Sequence, residues 1–223
     1  PSQAIDTYED TELAYDEPNA DWRYNPETNN AQYRRRPFLV LGRLIAILFP
    51  FTRFVLGVWW DGFTGNSIPK QKKRARQLIR ILTKLGPAYI KIGQALSTRP
   101  DVVPPAYLEE LTTLQDKIPS FPNEVAFRFI EEELGARPEQ IYADLSAQPI
   151  AAASLGQVYK GRLKTGEEVA VKVQRPGLNS RISLDIYIMR LLAGFVQDNV
   201  KQVRSNLRAI IDELAERIFE ETN

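Results

Sequence analysis

Residues 150–174 read IAAASLGQVYKGRLKTGEEVAVKVQ, and this stretch decides the fold of the chain. An alanine-rich turn leads to Gly156 and then to an apolar run, which Thr165 and Gly166 interrupt before alternation resumes at Val169. Two β-patterned runs joined by a short glycine-containing turn predict a hairpin. The second run carries Lys172 in its middle.

Alternation along this second strand separates its side chains into two faces. One face carries three valines, Val169, Val171 and Val173, and the other carries Ala170, Lys172 and Gln174. A tight small-residue loop, a strand, a turn and V-A-V-K are typical of the front of a protein-kinase nucleotide site. In such a site the loop covers the phosphates and the strand lysine pairs with them. The alternative is that Lys172 is a solvated residue on a hairpin edge.

Composition limits the chemistry. The 223 residues include 29 basic and 28 acidic ones, so the net charge of +1 gives no sign of a strongly anionic partner. The chain has no cysteine and no histidine, which excludes disulfides, thiolate nucleophiles, histidine bases and ordinary zinc or copper sites. Catalysis would therefore depend on lysine, carboxylates, hydroxyls and a bound hard cation.

The N-terminal part, residues 1–33, is predicted to be an acidic, disordered tail. Residues 1–21 hold seven acidic residues and no Lys or Arg, a composition that cannot bury a core. The chain begins with Pro, and its last residues continue a helical pattern without a stop signal. We interpret it as a piece of a longer protein.

Residues 34–69 are apolar with basic flanks. The run 38–60 is interrupted by Arg43, Pro50 and Arg53, and its longest uncharged stretch is far shorter than the ~18 residues that a spanning helix needs. Pro50 is predicted to split the run into two short helices. Trp59 and Trp60 end it, and a basic cluster follows: Lys70, Lys72, Lys73, Arg74 and Arg76. This pattern suits a membrane interface, and packing on the protein's own core is the alternative.

Residues 70–147 have mainly helical spacing. A helix beginning at Pro87 places Lys91, Gln94 and Thr98 on one face. Asn123 is predicted to cap a later helix that ends at Gly135, and a short helix is expected over residues 140–145. Two further helices are predicted after the hairpin, over residues 182–197 and 203–221.

Several motifs together resemble the UbiB-like, aarF-domain atypical kinases, and especially their members from photosynthetic organisms. They are K-x-G-Q at residues 91–94, STRPD at 97–101, LQD at 114–116, the alanine-rich loop at 151–157 and VAVK at 169–172. The resemblance implies an α+β fold. It consists of a protein-kinase-like N-lobe, an antiparallel sheet with only its first strands present, and a helical K-x-G-Q extension that folds over the cleft.

The resemblance also implies a function. The family binds ATP or ADP with a divalent cation such as Mg²⁺ and supports isoprenoid-quinone synthesis or homeostasis at membranes. The implied partners are nucleotide, membrane lipids or quinone precursors, and quinone-pathway enzymes, with no nucleic acid. The implied location is peripheral, on the cytoplasmic or stromal side of a membrane.

Site residues follow by matching motifs. Lys172, Lys91 and Gln94 match the catalytic positions, and Glu221 matches the first residue of the family's E-x-D motif, where Asn223 replaces the last acidic residue. The other expected nucleotide-binding residues are Ala151, Ala152, Ala153, Ser154, Gly156, Gln157 and Ala170. No metal ligand is assigned, because the cation ligands of the pattern are expected beyond residue 223.

The full-length protein is therefore expected to be an atypical kinase or ATPase, and this piece alone is expected to show no turnover. The alternative is a nucleotide-switched module that binds lipid or a partner without physiological phosphoryl transfer. A nucleic-acid binder is suggested only by the basic cluster at residues 70–76, without a recognition motif.

Overall fold

Helices and one small sheet make up the part of the chain that this computed structural model describes, residues 23–101, 103–114, 120–153, 155–175, 177–200 and 206–222. The helices are α1 Pro26–Arg34, α2 Pro37–Phe63, α3 Ser67–Leu85, α4 Pro87–Ser97, α5 Pro105–Thr112, α6 Asn123–Leu134, α7 Pro138–Ile141, α8 Leu178–Asn199 and α9 Leu207–Thr222. The strands are β1 Tyr142–Leu145, β2 Ala151–Ala152, β3 Gly156–Leu163 and β4 Glu168–Gln174.

The sheet is built around β3, the longest strand. β4 pairs with β3 over its whole length, while β1 and β2 pair with opposite ends of its other edge, and all three pairings are antiparallel. The β3–β4 connection turns at Gly166, whose φ of 97° is in the left-handed region that glycine adopts without strain. The predicted hairpin and the α+β class are both confirmed.

Two apolar clusters hold the fold together. The larger joins α2, α3, α4, α8 and α9, and the smaller packs α6 against one face of the sheet through residues such as Ala126, Ile130, Tyr159 and Val173. The sequence predicts that Asn123 caps α6, but in the structure its side chain makes no cap. Its amide donates to Ala147 O at 2.8 Å, and its oxygen accepts from the Tyr159 hydroxyl at 2.7 Å. It therefore ties α6 to the sheet.

Three other local predictions differ from the structure. Residues 26–33 of the predicted tail lie in α1, whose Tyr33 is buried and donates its hydroxyl to Ser180 O at 3.0 Å; residues 1–22 lie outside the described residues. Pro50 does not divide the apolar run, which forms the single helix α2. The stretch 142–145 forms strand β1 instead of continuing α7, because pairing with β3 satisfies its backbone groups.

Ion pairs attach α2 to its neighbours on both sides of Pro50. Arg43 donates to both carboxylate oxygens of buried Asp185 in α8, at 2.7 and 2.8 Å. Asp61, near the other end, accepts from Lys70 at 2.9 Å and from Arg74 at 2.7 Å. These contacts offset the backbone hydrogen bond that an internal proline removes.

The Asp61 carboxylate predicts a pH-dependent contribution to stability. Hydrogen bonds from Arg74 and then Lys70 lower the pKa of Asp61 from 3.8 to about 2. The unfolded chain therefore takes up this proton first as the pH falls. We expect wild type to exceed Asp61→Asn in urea midpoint above about pH 4 and to lose that advantage towards about pH 2. A difference between the two proteins that stays constant from neutral pH to pH 2 would contradict this assignment.

Candidate nucleotide-binding site

The open face of the sheet, opposite α6, carries Lys172. The register pairs Ala151 with Val158 and Val158 with Lys172, so these three residues form a row across β2, β3 and β4. Directly paired residues share a face of a sheet, and Ala170, two residues before Lys172, lies on that face too. Lys172 is exposed, and it makes no ion pair within the described part of the chain. Its ammonium is thus available to an anion from outside the chain.

The alanine-rich loop forms a tight connection between β2 and β3. The Ala153 amide donates to Gly156 O at 2.8 Å and closes the turn. Leu155 is buried in the larger apolar cluster, and its carbonyl accepts from the Arg175 amide at 2.9 Å. A Cβ at Gly156 would lie 2.5 Å from Val173 O, so only glycine allows this approach of β3 to β4. The loop is fixed against the fold beside Lys172; Ser154 lies outside the described residues.

Gln157, which the motif match assigns to the nucleotide, faces the other side of the sheet. It is fully buried and pairs in register with buried Val173. Its amide accepts from Phe121 N at 3.1 Å and donates to Phe121 O at 3.2 Å and to the Tyr159 hydroxyl at 2.5 Å. These bonds join the sheet to the segment before α6, so Gln157 is engaged on the face of the sheet opposite Lys172. Gln157 and Tyr159 are two residues apart and so lie on the same face of β3. This spacing could have indicated from the sequence that Gln157 faces the core.

The two K-x-G-Q side chains, both on α4, have different partners. Lys91 donates to the Glu221 carboxylate near the end of α9, whereas Gln94 donates to Leu114 O at 2.9 Å and holds the segment after α5. Between them, Gly93 brings α4 close to its neighbours, since a Cβ there would lie 2.5 Å from a Leu114 methyl group. Within the motif, Gly93 and Gln94 therefore pack α4 against the segment after α5, and Lys91 contacts α9.

The end of α9 connects this helix to the sheet. Next to Glu221, the carbonyl of Thr222 accepts from the Gln174 side-chain amide at 2.7 Å. Gln174 lies on the same face of β4 as Lys172, two residues further along. The structure thus brings Lys91 and Glu221 to the edge of the face that carries Lys172. Gln174 and Thr222 were not among the predicted site residues, because only the tertiary contact reveals them.

The arrangement can hold a phosphate between a fixed loop and an unpaired ammonium. Lys172 would supply the charge, and Ala151 and Ala170 leave space around it because their side chains are small. Within the residues that the structure describes, no group of three or more acidic residues forms a cation site.

Residues 113–223 match the family model of the ABC1 atypical kinase-like domain. These residues belong to the ABC1 atypical kinase-like family. The matched part includes the hairpin, the alanine-rich loop, Lys172 and α9, whereas α1–α5 precede it. The sheet and its helices have the arrangement of a kinase-like N-lobe.

Relatives over most of the chain include the Synechocystis protein sll0005, which is 65% identical over 202 residues, 91% of this chain and 30% of that protein. The Arabidopsis thaliana protein ACTIVITY OF BC1 COMPLEX KINASE 3, chloroplastic, is 46% identical over 201 residues, 90% of this chain and 28% of that protein. The chain therefore spans about 30% of the length of these relatives.

A solved structure of Rv3197 from Mycobacterium tuberculosis in complex with erythromycin is also similar. It is 31% identical, covers 71% of this chain and 39% of that chain, and superposes with a TM-score of 0.40.

Proposed function

We propose that this chain forms the front of a nucleotide site in a longer atypical kinase or ATPase, and that it binds ATP or ADP together with Mg²⁺. The observation that carries the proposal is the placement of Lys172, exposed and without an ion-pair partner in the described residues, beside the fixed alanine-rich loop. An exposed ammonium without such a partner is available to a phosphate. Mg²⁺ would supply further charge neutralisation at the phosphates, a role shared by kinase-like sites.

We further propose that the longer protein acts at a membrane in isoprenoid-quinone metabolism. Membrane lipids or quinone precursors, and enzymes of the quinone pathway, would be its partners. Relatives whose names include "chloroplastic" support a plastid or cyanobacterial setting. The properties of α2 support membrane association. By length and composition this helix could cross a bilayer, and most of its residues are exposed.

A peripheral position suits α2 better than a spanning one. Arg43 and Asp61 are 18 residues apart, or about 27 Å along a helix, and both are held by partners on other helices. To cross a bilayer, α2 would have to abandon these buried ion pairs or take α3 and α8 with it, and either is costly. We therefore propose that α2 lies in the membrane interface.

One observation favours the alternative, a nucleotide-switched binding module. Lys91 already engages Glu221, so two charged groups beside the expected phosphate position are committed to each other. A site whose charges pair internally can bind nucleotide without promoting transfer.

Measurements of nucleotide binding and of product formation distinguish an enzyme from a nucleotide-switched binding module. In a protein of the relatives' length, ATP with Mg²⁺ at 100 times its Kd should raise the free energy of unfolding by about 2.7 kcal/mol, measured by urea denaturation. An enzyme should also release ADP under the same conditions. Stabilisation without ADP release would favour the module, and the absence of stabilisation by both ATP and ADP would refute the proposed nucleotide site.

A further inference from the structure

The groove between α2 and α3, on the side facing the start of α8, is strongly basic. It encloses about 970 Å³, and seven of its 14 lining residues are Arg or Lys while none is Asp or Glu. Four of these cations are exposed and have no ion-pair partner in the described part of the chain: Arg53, Lys73, Arg80 and Lys84. Three of them recur on one stripe of α3, at positions i, i+7 and i+11.

This cluster is distinct from the basic run at residues 70–76 that stands out in the sequence. In the structure Lys70 and Arg74 pair with Asp61, Lys72 pairs with Glu109, and Arg76 pairs with Glu110. Carboxylates therefore balance most of the run, and Lys73 is its only member among the four groove cations. Among the described residues of α2 and α3, the cations without a carboxylate partner are the four in the groove.

An apolar surface adjoins the groove along α2. The exposed large apolar side chains of this helix are Phe38, Leu41, Ile45, Leu48, Phe49, Val55, Leu56, Val58, Trp59, Trp60 and Phe63. Phe49 belongs to both surfaces: it lines the groove and is 69% exposed. So many exposed large apolar side chains on one helix indicate an interaction surface.

We propose that this groove binds the phosphate headgroup of an anionic membrane lipid while the apolar face of α2 enters the bilayer. A bilayer offers both chemistries at one boundary, since headgroup phosphates lie directly beside acyl chains. Arg and Lys along the edge of an apolar helix face reach that level with their long stems. A free phosphate would match the cations alone and leave the apolar face unexplained. The proposal deepens the membrane association proposed above and rests on it.

Two double variants of α3 test the headgroup site. Lys73→Gln/Lys84→Gln removes two unpaired groove cations, and Lys72→Gln/Arg76→Gln removes two cations that pair with carboxylates, so the net charge changes equally. Partition is measured by co-sedimentation of the longer protein with vesicles of phosphatidylcholine and phosphatidylglycerol in equal amounts. We expect about a 30-fold loss for the groove variant, less than about threefold for the control, and a smaller difference in high salt.

Each failure has its own signature. Equal losses for the two double variants would reject the groove and leave membrane association standing. Absence of wild-type binding to both anionic and pure phosphatidylcholine vesicles would refute membrane association itself. Displacement from vesicles by millimolar inorganic phosphate would mean that a free anion occupies the groove, and would overturn the lipid assignment.

The acidic segment 1–21 of the same chain is the other possible occupant, because its seven acidic residues complement the groove. In a variant lacking this segment, the groove double variant should still bind anionic vesicles at least about tenfold more weakly than its matched control if lipid is the occupant. Equal vesicle affinities of the two double variants in this background would show that the groove acts through the segment, and would overturn the proposal.

Discussion

Replacing Lys172 by alanine in a protein of the relatives' length is expected to lower nucleotide turnover at least about 100-fold. In the proposed nucleotide site the ammonium would balance the negative charge of the phosphates, and the small neighbours Ala151 and Ala170 could not replace it. Because the side chain is exposed and unpaired in the described residues, its removal should leave the urea midpoint unchanged. Turnover and nucleotide affinity are measured on the same preparations.

Lys160→Ala is the matched control for this substitution. Lys160 pairs in register with Ala170 and so lies on the same face of the sheet, but its ammonium is engaged by Glu168 at 3.1 Å. It should retain turnover within about threefold of wild type. If both variants kept wild-type affinity and turnover, Lys172 would be an ordinary edge lysine; equal losses would indicate a general electrostatic effect of the face.

Asp185→Ala should produce the largest loss of stability, about 3–5 kcal/mol in the free energy of unfolding. The carboxylate is fully buried and holds the Arg43 guanidinium through two hydrogen bonds. Removing it leaves a cation whose side chain is only 12% exposed and whose remaining hydrogen bond, within the described residues, is to the Leu85 carbonyl. It also removes this link between α2 and α8. Urea denaturation of the chain measures the change.

Two companion variants show whether burial causes this effect. Asp101→Ala breaks an equally short but exposed pair with Arg99, so it should change the urea midpoint little. Replacing both partners, as Arg43→Met/Asp185→Leu, removes the uncompensated charge and should recover most of the stability lost in Asp185→Ala. A double variant as unstable as the single one would show that the loss comes from altered packing.

Local periodicity was enough to predict the hairpin and most helices. The alternation of Val169, Val171 and Val173 with polar or small residues is the pattern of a strand. Pro87 marks the beginning of α4, and Gly135 marks the end of α6. Where prediction failed, a distant partner decided the outcome. Pro50 remains inside α2 because Arg43 and Asp61 hold the helix on both sides, and Asn123 turns from a cap to the Tyr159 hydroxyl.

The site shows the same division. The sequence identifies the charge of Lys172 and its strand face, because both follow from alternation. It does not reveal that Lys91 meets Glu221, which lies 130 residues away, or that Glu109 and Glu110 balance Lys72 and Arg76. Such pairings depend on distances that the fold creates. The net charge of +1 for the whole chain therefore does not reveal that the groove between α2 and α3 is lined by Arg and Lys without Asp or Glu.

The anchoring of Leu155 has a consequence for nucleotide entry and exit. In glycine-rich phosphate loops, closure and opening of a mobile flap set the exchange kinetics. Here Leu155 is buried and its carbonyl accepts from the Arg175 amide, so this end of the loop is fixed to the fold. If the proposed site binds nucleotide, exchange would then depend on movement of other parts of the longer protein.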